Sequence, residues 1–466
     1  MNIKVILCVF CFLSLSYNSL SQTFVPDDNF EQSLIDLGYD SGPLDDMVPT
    51  ANITAVTDLD INTKNIANLT GIEDFINLQS LNCQDNLLTS LDISNNTSLT
   101  QLFCSGNNLT TIDVSMLPDL QIFWCLNNKL TNINVVNNPK LISLVCGNNL
   151  LTSLDVSNNT SLNVLSFEDN QISTIDISNN STLSFLSCRN NLLTNLDVTK
   201  NTNLSTLNCN TNQLTVLDIS KNNKLIELYT QFNALTALDL SQNPILTDIY
   251  CGYNNLCSLN VKNGNNANFS AFDFINNTNL NCVVVDNPSG NHTTWSPSSF
   301  SNYVTSQSDC SAFVAIDTLS DVITNSFTLP ILTYGNYYTA TGGNGSLLNA
   351  GDVITTSQTI YIYNETVCNS NETSFNVFIT NNDYYIPKYF TPNNDGTHDV
   401  WMVNDFENTI KSIEIFDRYG KFLKYLQPHT SWNGTFNGNL MESNDYWYMI
   451  TFKTGETLRG HFTLKR

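Results

Sequence analysis

Basic side chains are scarce in this chain. Its 466 residues hold 18 Lys and Arg against 42 Asp and Glu, a formal net charge of -24. That deficit argues against nucleic acid and anionic membrane surfaces as partners, because both require a basic face. Solubility is the simpler account of the acidic excess, and cation attraction is the competing one. Histidine is rarer still: His292, His398, His429 and His461 are the four. The first 291 residues therefore carry no Ser-His-Asp or Cys-His arrangement and no histidine metal site. Long apolar runs are also missing, apart from Val5 to Leu15, which is too short to span a bilayer. With Lys4 before it and Ser19-Leu20-Ser21 after it, that run reads as a signal peptide over 1–21, so the mature chain begins near Gln22. No cysteine follows the cleavage site, so no lipoprotein anchor is indicated.

A strict 21-residue period is what the chain does have. Leu78, Leu99, Leu120, Leu141, Leu162, Leu183, Leu204, Leu225 and Leu246 mark nine rungs. Three residues on, each rung has an apolar residue, from Leu81 through Phe123 to Ile249. Two further come Cys83, Cys104, Cys125, Cys146, Phe167, Cys188, Cys209, Thr230 and Cys251, and three beyond those is always asparagine, from Asn86 to Asn254. A period of this size denotes a solenoid, and L-x-x-L-x-L-x-x-N-x-L is the leucine-rich repeat. The apolar alternation gives one short strand per rung with its apolar side chains inward, and stacked rungs bury one another's faces. The fold class expected is a leucine-rich-repeat solenoid over 53–285 with a parallel β-sheet on its concave face. Its convex side should be mostly irregular, since phrases such as "LTSLDISNNTS" are too short and polar for long helices.

Two columns of this repeat admit a second reading. The seven cysteines suggest a metal or disulfide ladder. However, Phe167 and Thr230 stand at the same position without a thiol, so a small buried hydrophobe is favoured. Asp92, Asp113, Asp155, Asp176, Asp197, Asp218 and Asp239 suggest a cation ladder. Asn134 and Asn260 replace them without charge, so acceptance of turn amides is favoured.

A solenoid needs its ends covered. Phe30, Leu34 and Leu37 at helical spacing after Asp27-Asp28 predict a capping helix within an N-terminal cap over 22–52. A C-terminal cap is expected over 286–310. Cys282 and Cys310 frame the closing segment and are the expected disulfide, with Cys257 the competing partner for Cys282. No partner for Cys368 is legible. Residues 311–380 lose the period, and their alternating stretches predict a small β-sandwich-like spacer, of which an immunoglobulin-like topology is one form.

The segment 384–466 is also β-rich, a second small all-β sandwich-like domain, but has another composition. It holds nine of the 18 basic residues and nine acids, so it is neutral. "YFTPNNDGTHDVWMV", "IKSIEIFDRYGKFLKYL", "SWNGTFNGNLMESNDYWYMITF" and "GHFTLKR" resemble the gliding-motility-associated C-terminal domain, the type B sorting domain of the Bacteroidota type IX secretion system. Upstream, "LTGIEDFINL" resembles repeats of the internalin family. The sorting-domain resemblance implies passage through the outer membrane by the type IX machinery, followed by release or attachment at the cell surface. Within it Asn393, Asp395 and Asp399 are spaced like calcium ligands, but an EF-hand needs more ligands and a distal Glu, so a turn is favoured.

No catalytic residue, metal ligand or cofactor is indicated. A glycosidase needs two isolated carboxylates, whereas the solenoid's acids fall largely in columns. The expected activity is recognition of an extracellular protein or glycan by outward residues of the sheet: Phe103, Trp124, Leu126, Val145, Val164, Glu168, Phe185, Arg189, Tyr229 and Tyr250. The alternative is a structural or adhesive surface component with no single ligand, and an extracellular glycan-acting enzyme is least favoured.

Overall fold

A computed structural model describes residues 21–380 and 383–466. The signal-peptide segment falls almost wholly outside these residues. The chain divides into two compact units, the first ending at Cys310 and the second spanning Ser311–Arg466.

The first unit is a parallel-strand solenoid. Its main sheet has eleven three-residue strands in sequence order along the stack, except that two strands are skipped: Asp58–Asp60, Ser80–Asn82, Gln101–Phe103, Ile122–Trp124, Ser143–Val145, Val164–Ser166, Phe185–Ser187, Thr206–Asn208, Glu227–Tyr229, Asp248–Tyr250 and Ala271–Asp273. All neighbours pair parallel and in register, Leu81 with Leu102, Leu102 with Phe123, and so on. The central residue of each strand is buried, because one face of the sheet closes the core and the pleat alternates side chains. Each such leucine taken from water contributes about 1.5–3 kcal/mol.

The skipped strands, Ala237–Asp239 and Ser258–Asn260, belong to a second parallel sheet with Val283–Val284 and Tyr303–Val304. The coil-closing segments are strand-free through the preceding rungs, as the polar phrases predict. Of the second sheet's strands only the third, within the run Val283-Val284-Val285, is marked by β-branched residues.

Both ends are covered. The helix Asp28–Asp36 is capped by Asp27, whose side chain accepts from the Asn29 and Phe30 amides. The other carboxylate oxygen of Asp27 accepts from Ala67 and Asn68, which fastens the cap to the first turn of the solenoid. Phe30 and Leu34 are buried, but Leu37 is the C-cap residue and is exposed, so the apolar stripe of this helix ends one turn earlier than its spacing predicts. At the far end Phe269, Phe272, Phe274, Trp295, Phe300 and Tyr303 close the core with edge-on and tilted ring contacts. A disulfide joins Cys282 to Cys310, with Cα atoms 5.5 Å apart. Neither Cys257 nor Cys368 is a free thiol.

The seven cysteines of the repeat column are free and fully buried, beside equally buried Phe167 and Thr230. Burial pushes the Cys83, Cys146 and Cys209 thiols up to about 12, so they stay neutral and unreactive at physiological pH. Thiol labelling of the native protein should therefore leave all seven unmodified, and labelling after denaturation should find all seven. Disulfide-linked peptides containing Cys83, Cys104 or Cys125 would contradict this.

In the second unit, a five-stranded sheet runs in the order Val322–Thr324, Ser370–Ile379, Gln358–Glu365, Asn336–Ala340, Asn344–Leu348. Phe327–Thr328 pairs with Val353–Ile354 beside the same core of Leu329, Tyr337, Ile360, Ile362, Phe375 and Val377. A further five-stranded sheet has the order Tyr389–Phe390, Thr457–Leu464, Asn444–Phe452, Ile410–Phe416, Phe422–Leu426. Its core holds Trp401, Trp432, Phe390 and Phe462. Among the described residues no helix is long and apolar enough to cross a membrane.

Candidate functional site

The outward side chains of the main sheet form columns, because register holds along the stack. One column runs Phe103, Trp124, Val145, Ser166, Ser187, Asn208, Tyr229, Tyr250. Its neighbour, two residues earlier on each strand, runs Gln101, Ile122, Ser143, Val164, Phe185, Thr206, Glu227, Asp248. A third lies just past the strands and contains Leu126, Glu168 and Arg189.

All ten sequence-derived candidates lie on this outer side. Trp124 and Arg189 are exposed and the other eight are half-buried, whereas Phe123 is fully buried. The structure gathers them into separate groups. Phe103 meets Trp124 edge-on, ring centroids 5.1 Å apart, and Trp124 Nε1 donates to Ser143 Oγ at 3.0 Å. Leu126 and Val145 adjoin this pair, whereas Val164 and Phe185 are neighbours in the second column. At mid-sheet Arg189 pairs with Asp169 and lies 4.0 Å from Glu168, whose other contact is the Ser187 hydroxyl at 2.9 Å. Tyr229 and Tyr250 stack in parallel, centroids 5.1 Å and planes 5° apart. Small or polar Ser166, Ser187 and Asn208 separate the two aromatic pairs. With strands about 4.8 Å apart, five steps from Trp124 to Tyr229 make a separation of about 24 Å.

A third aromatic pair is absent from the sequence-derived set. Phe232 and Tyr253 stack with centroids 4.3 Å apart, and both are exposed. They occupy a position where the backbone is left-handed in eleven consecutive rungs, held elsewhere by Thr63, Asp85, Gly106, Asn127, Asn148, Asp169, Asn190, Thr211 and Asn276. Their own φ values are 54°. The signal was a ring in a column otherwise filled chiefly by Asp, Asn and Gly, which tolerate such a backbone.

The columns that hold the coil are not ligand groups. Each repeat asparagine bridges two rungs: Leu130 N–H donates to Asn149 Oδ1 at 3.0 Å, and Asn149 Nδ2 donates to the Cys125 and Cys146 carbonyls. Each column aspartate accepts from the amide two residues on, as in Asp155 Oδ1 with Ser157 N at 2.9 Å, and Asn134 does the same for Val136. These amide bonds, chiefly, hold the Asp113, Asp155, Asp176 and Asp218 carboxyls below their ordinary value. The stability they contribute is complete above the unfolded value of about 3.9 and is lost as pH falls through the lower native value. Replacing Asp155 and Asp176 by Asn, which keeps the acceptor, should leave the neutral-pH melting temperature nearly unchanged and reduce its fall between about pH 4 and pH 2. An unchanged acid limb would show that other groups set it.

In the second unit the "PNNDGTHD" loop is likewise self-satisfied. Asp399 Oδ1 accepts from the Asn393 and Asn394 amides, its Oδ2 accepts from Gly396, and Asp395 accepts from Thr397. Among the described residues no group of three or more His, Cys, Asp or Glu is placed to hold a metal ion.

Residues 384–464 match the family model of the CHU_C type IX secretion signal domain. The CHU_C domain marks the chain for export to the cell surface or beyond, and it implies engagement with the type IX machinery. No curated protein matches the chain in sequence. Among solved structures, the functional domain of InlJ from Listeria monocytogenes, which includes a cysteine ladder, is 24% identical, covering 77% of this chain and 99% of that one with a TM-score of 0.32. An internalin, InlF, from Listeria monocytogenes is 22% identical over 56% of this chain and 89% of its own, TM-score 0.46. A leucine-rich-repeat protein of Leptospira interrogans is 21% identical over 51% and 69%, TM-score 0.45. Upstream of the CHU_C domain, then, lies a repeat solenoid exported as its cargo.

Proposed function

We propose that this exported leucine-rich-repeat protein is a non-catalytic binding protein whose concave sheet face recognises an extracellular protein or glycan. The observation that supports this most is the display of paired aromatic rings on the outer face of the sheet. A fold needs no exposed Trp, and such rings outside the core are typical of recognition surfaces. Phe103, Trp124, Leu126 and Val145 make one subsite, with Val164 and Phe185 beside it. Glu168 and Arg189 supply polar register in the middle, and Tyr229 with Tyr250 makes the second subsite.

Trp124→Ala tests it. The change removes an edge-on ring contact and one hydrogen bond, so it should cost stability about 1 kcal/mol. A central contact residue should cost about 2 kcal/mol or more in affinity, close to thirtyfold. Screening the exported chain and this variant on peptide and glycan arrays gives the readout. A saturable signal lost in the variant supports recognition. The alternative, a structural or adhesive component, predicts no saturable ligand and an array pattern that Trp124→Ala leaves alone.

A further inference from the structure

Resting on that reading, we propose that the Tyr229–Tyr250 and Phe232–Tyr253 ring pairs, with the Glu227 and Asp248 carboxylates, form a subsite for the cationic side chains of a lysine- and arginine-rich protein segment. Four rings occupy two neighbouring rungs. Glu227 and Asp248 stand in register with each other, two residues before Tyr229 and Tyr250 on the same face of the same strands. Thr206 Oγ1 donates to Glu227 at 3.4 Å and Thr247 Oγ1 to Asp248 at 2.6 Å. Among the described residues neither carboxylate has a Lys or Arg partner, the ion pairs being Lys64–Asp36, Lys140–Asp119 and those of Arg189.

Folding does not account for the second ring pair. Left-handed backbone disfavours a bulky residue, yet Phe232 and Tyr253 stand there with exposed rings. Strain of this kind persists at ligand clamps. Their mutual stacking covers one face of each ring, and both residues remain exposed.

The chemistry favours a cation over a sugar or an anion. Rings carry negative faces that attract ammonium and guanidinium groups, and adjacent carboxylates add to that attraction. A neutral glycan gains nothing from the charge of the two carboxylates, whereas a cation is attracted by rings and carboxylates together. An anion meets Glu227 and Asp248. Burial, then the Glu227 carboxylate, raises the Tyr229 phenol above its ordinary value, consistent with a locally negative field. The wider charge agrees, since residues 22–310 hold 27 Asp and Glu against 8 Lys and Arg. A basic extracellular protein segment is complementary in sign.

The test titrates the exported full-length chain with a decapeptide of alternating Lys and Arg spaced by Ser, using a Ser-Gly peptide and neutral oligosaccharides as comparison ligands. The basic peptide should bind saturably and more weakly as salt rises. Tyr229→Ala with Tyr250→Ala, and separately Glu227→Gln with Asp248→Asn, should each weaken it about tenfold or more. Phe232→Asn with Tyr253→Asn, which suits the left-handed backbone and so preserves folding, should weaken it several-fold. Asp113→Asn with Asp155→Asn, an equal charge change in the turn column, should change it less than twofold. Equal loss from the turn-column pair would assign binding to the general acidic field and overturn the proposal, as would no binding of the peptide at all. A neutral oligosaccharide that binds instead, and is lost with the tyrosine pair, would overturn the cationic ligand while leaving recognition by the sheet face intact.

Discussion

Deleting residues 384–466 is expected to retain the protein in the periplasm of a cell with an intact type IX system, with its solenoid folded. The segment coincides with the CHU_C signal domain and has a core of its own. The solenoid's core is closed at one end by the Asp28–Asp36 helix and at the other by the aromatic cluster and the Cys282–Cys310 disulfide, none of which the deletion touches. A single substitution should give the same outcome more stringently. Trp401 is fully buried, stacks on Phe462 with centroids 3.9 Å apart, and donates Nε1 to the Pro387 carbonyl at 2.8 Å. Trp401→Ala should cost this domain about 3–5 kcal/mol, a large share of what a domain of this size possesses. Cell fractionation would then find the variant inside the outer membrane, and a melt of the retained protein would keep the solenoid transition. Normal surface delivery of the deletion variant would contradict the assignment of the signal to this segment.

How much of this was legible in the sequence differs by column. The Leu, Cys and first Asn columns announce themselves because one physical demand recurs at every 21st residue, and each was assigned its side of the sheet correctly: Phe123 inside, Trp124 outside. A single helix gives one sample of its pattern, so Leu37 could pass for a core residue and is in fact the exposed C-cap. A second asparagine column went unread. In "SNNTS" two adjacent asparagines look alike and both suit a turn, yet Asn95 is exposed and Asn96 is fully buried. The aromatic groups on the face were legible as residues, but not their division into separated pairs, which depends on the register of the whole stack. The second sheet at the C-terminal end depends on pairing between segments more than twenty residues apart, and local pattern does not specify it.

That unread column supports the second large prediction. Asn96, Asn138, Asn159, Asn180, Asn201, Asn222 and Asn243 are fully buried. Asn159 Nδ2 donates to the Val135 carbonyl at 3.0 Å and the Asn138 carbonyl at 2.8 Å, and the Asn159 carbonyl in turn accepts from Asn180 at 2.9 Å. The amides thus tie each coil to the one before it, in a place no water-exposed group could serve. Asn159→Asp should be the most damaging change, because it sets a carboxylate against two carbonyl oxygens in the core, costing about 3–5 kcal/mol. Asn159→Ala should cost about 2–4 kcal/mol, from two carbonyls left without donors and a small cavity. Asn159→Leu should cost less than either, since Leu117 holds this same position in its own rung, fully buried. The Asp variant carries a further signature. Burial raises its native pKa above the unfolded value of about 3.9, so relative to Asn159→Ala it should gain stability as pH falls through the native value, with the gain complete below the unfolded one. Because each rung contacts only its neighbours, the damage should be local: hydrogen exchange should accelerate first at the rungs around 135–180 and last at the caps. Melting curves for the three variants across pH check the ranking. An Asp variant within about 0.5 kcal/mol of the parent at neutral pH would mean that the coil is held by its leucines and its first asparagine column alone.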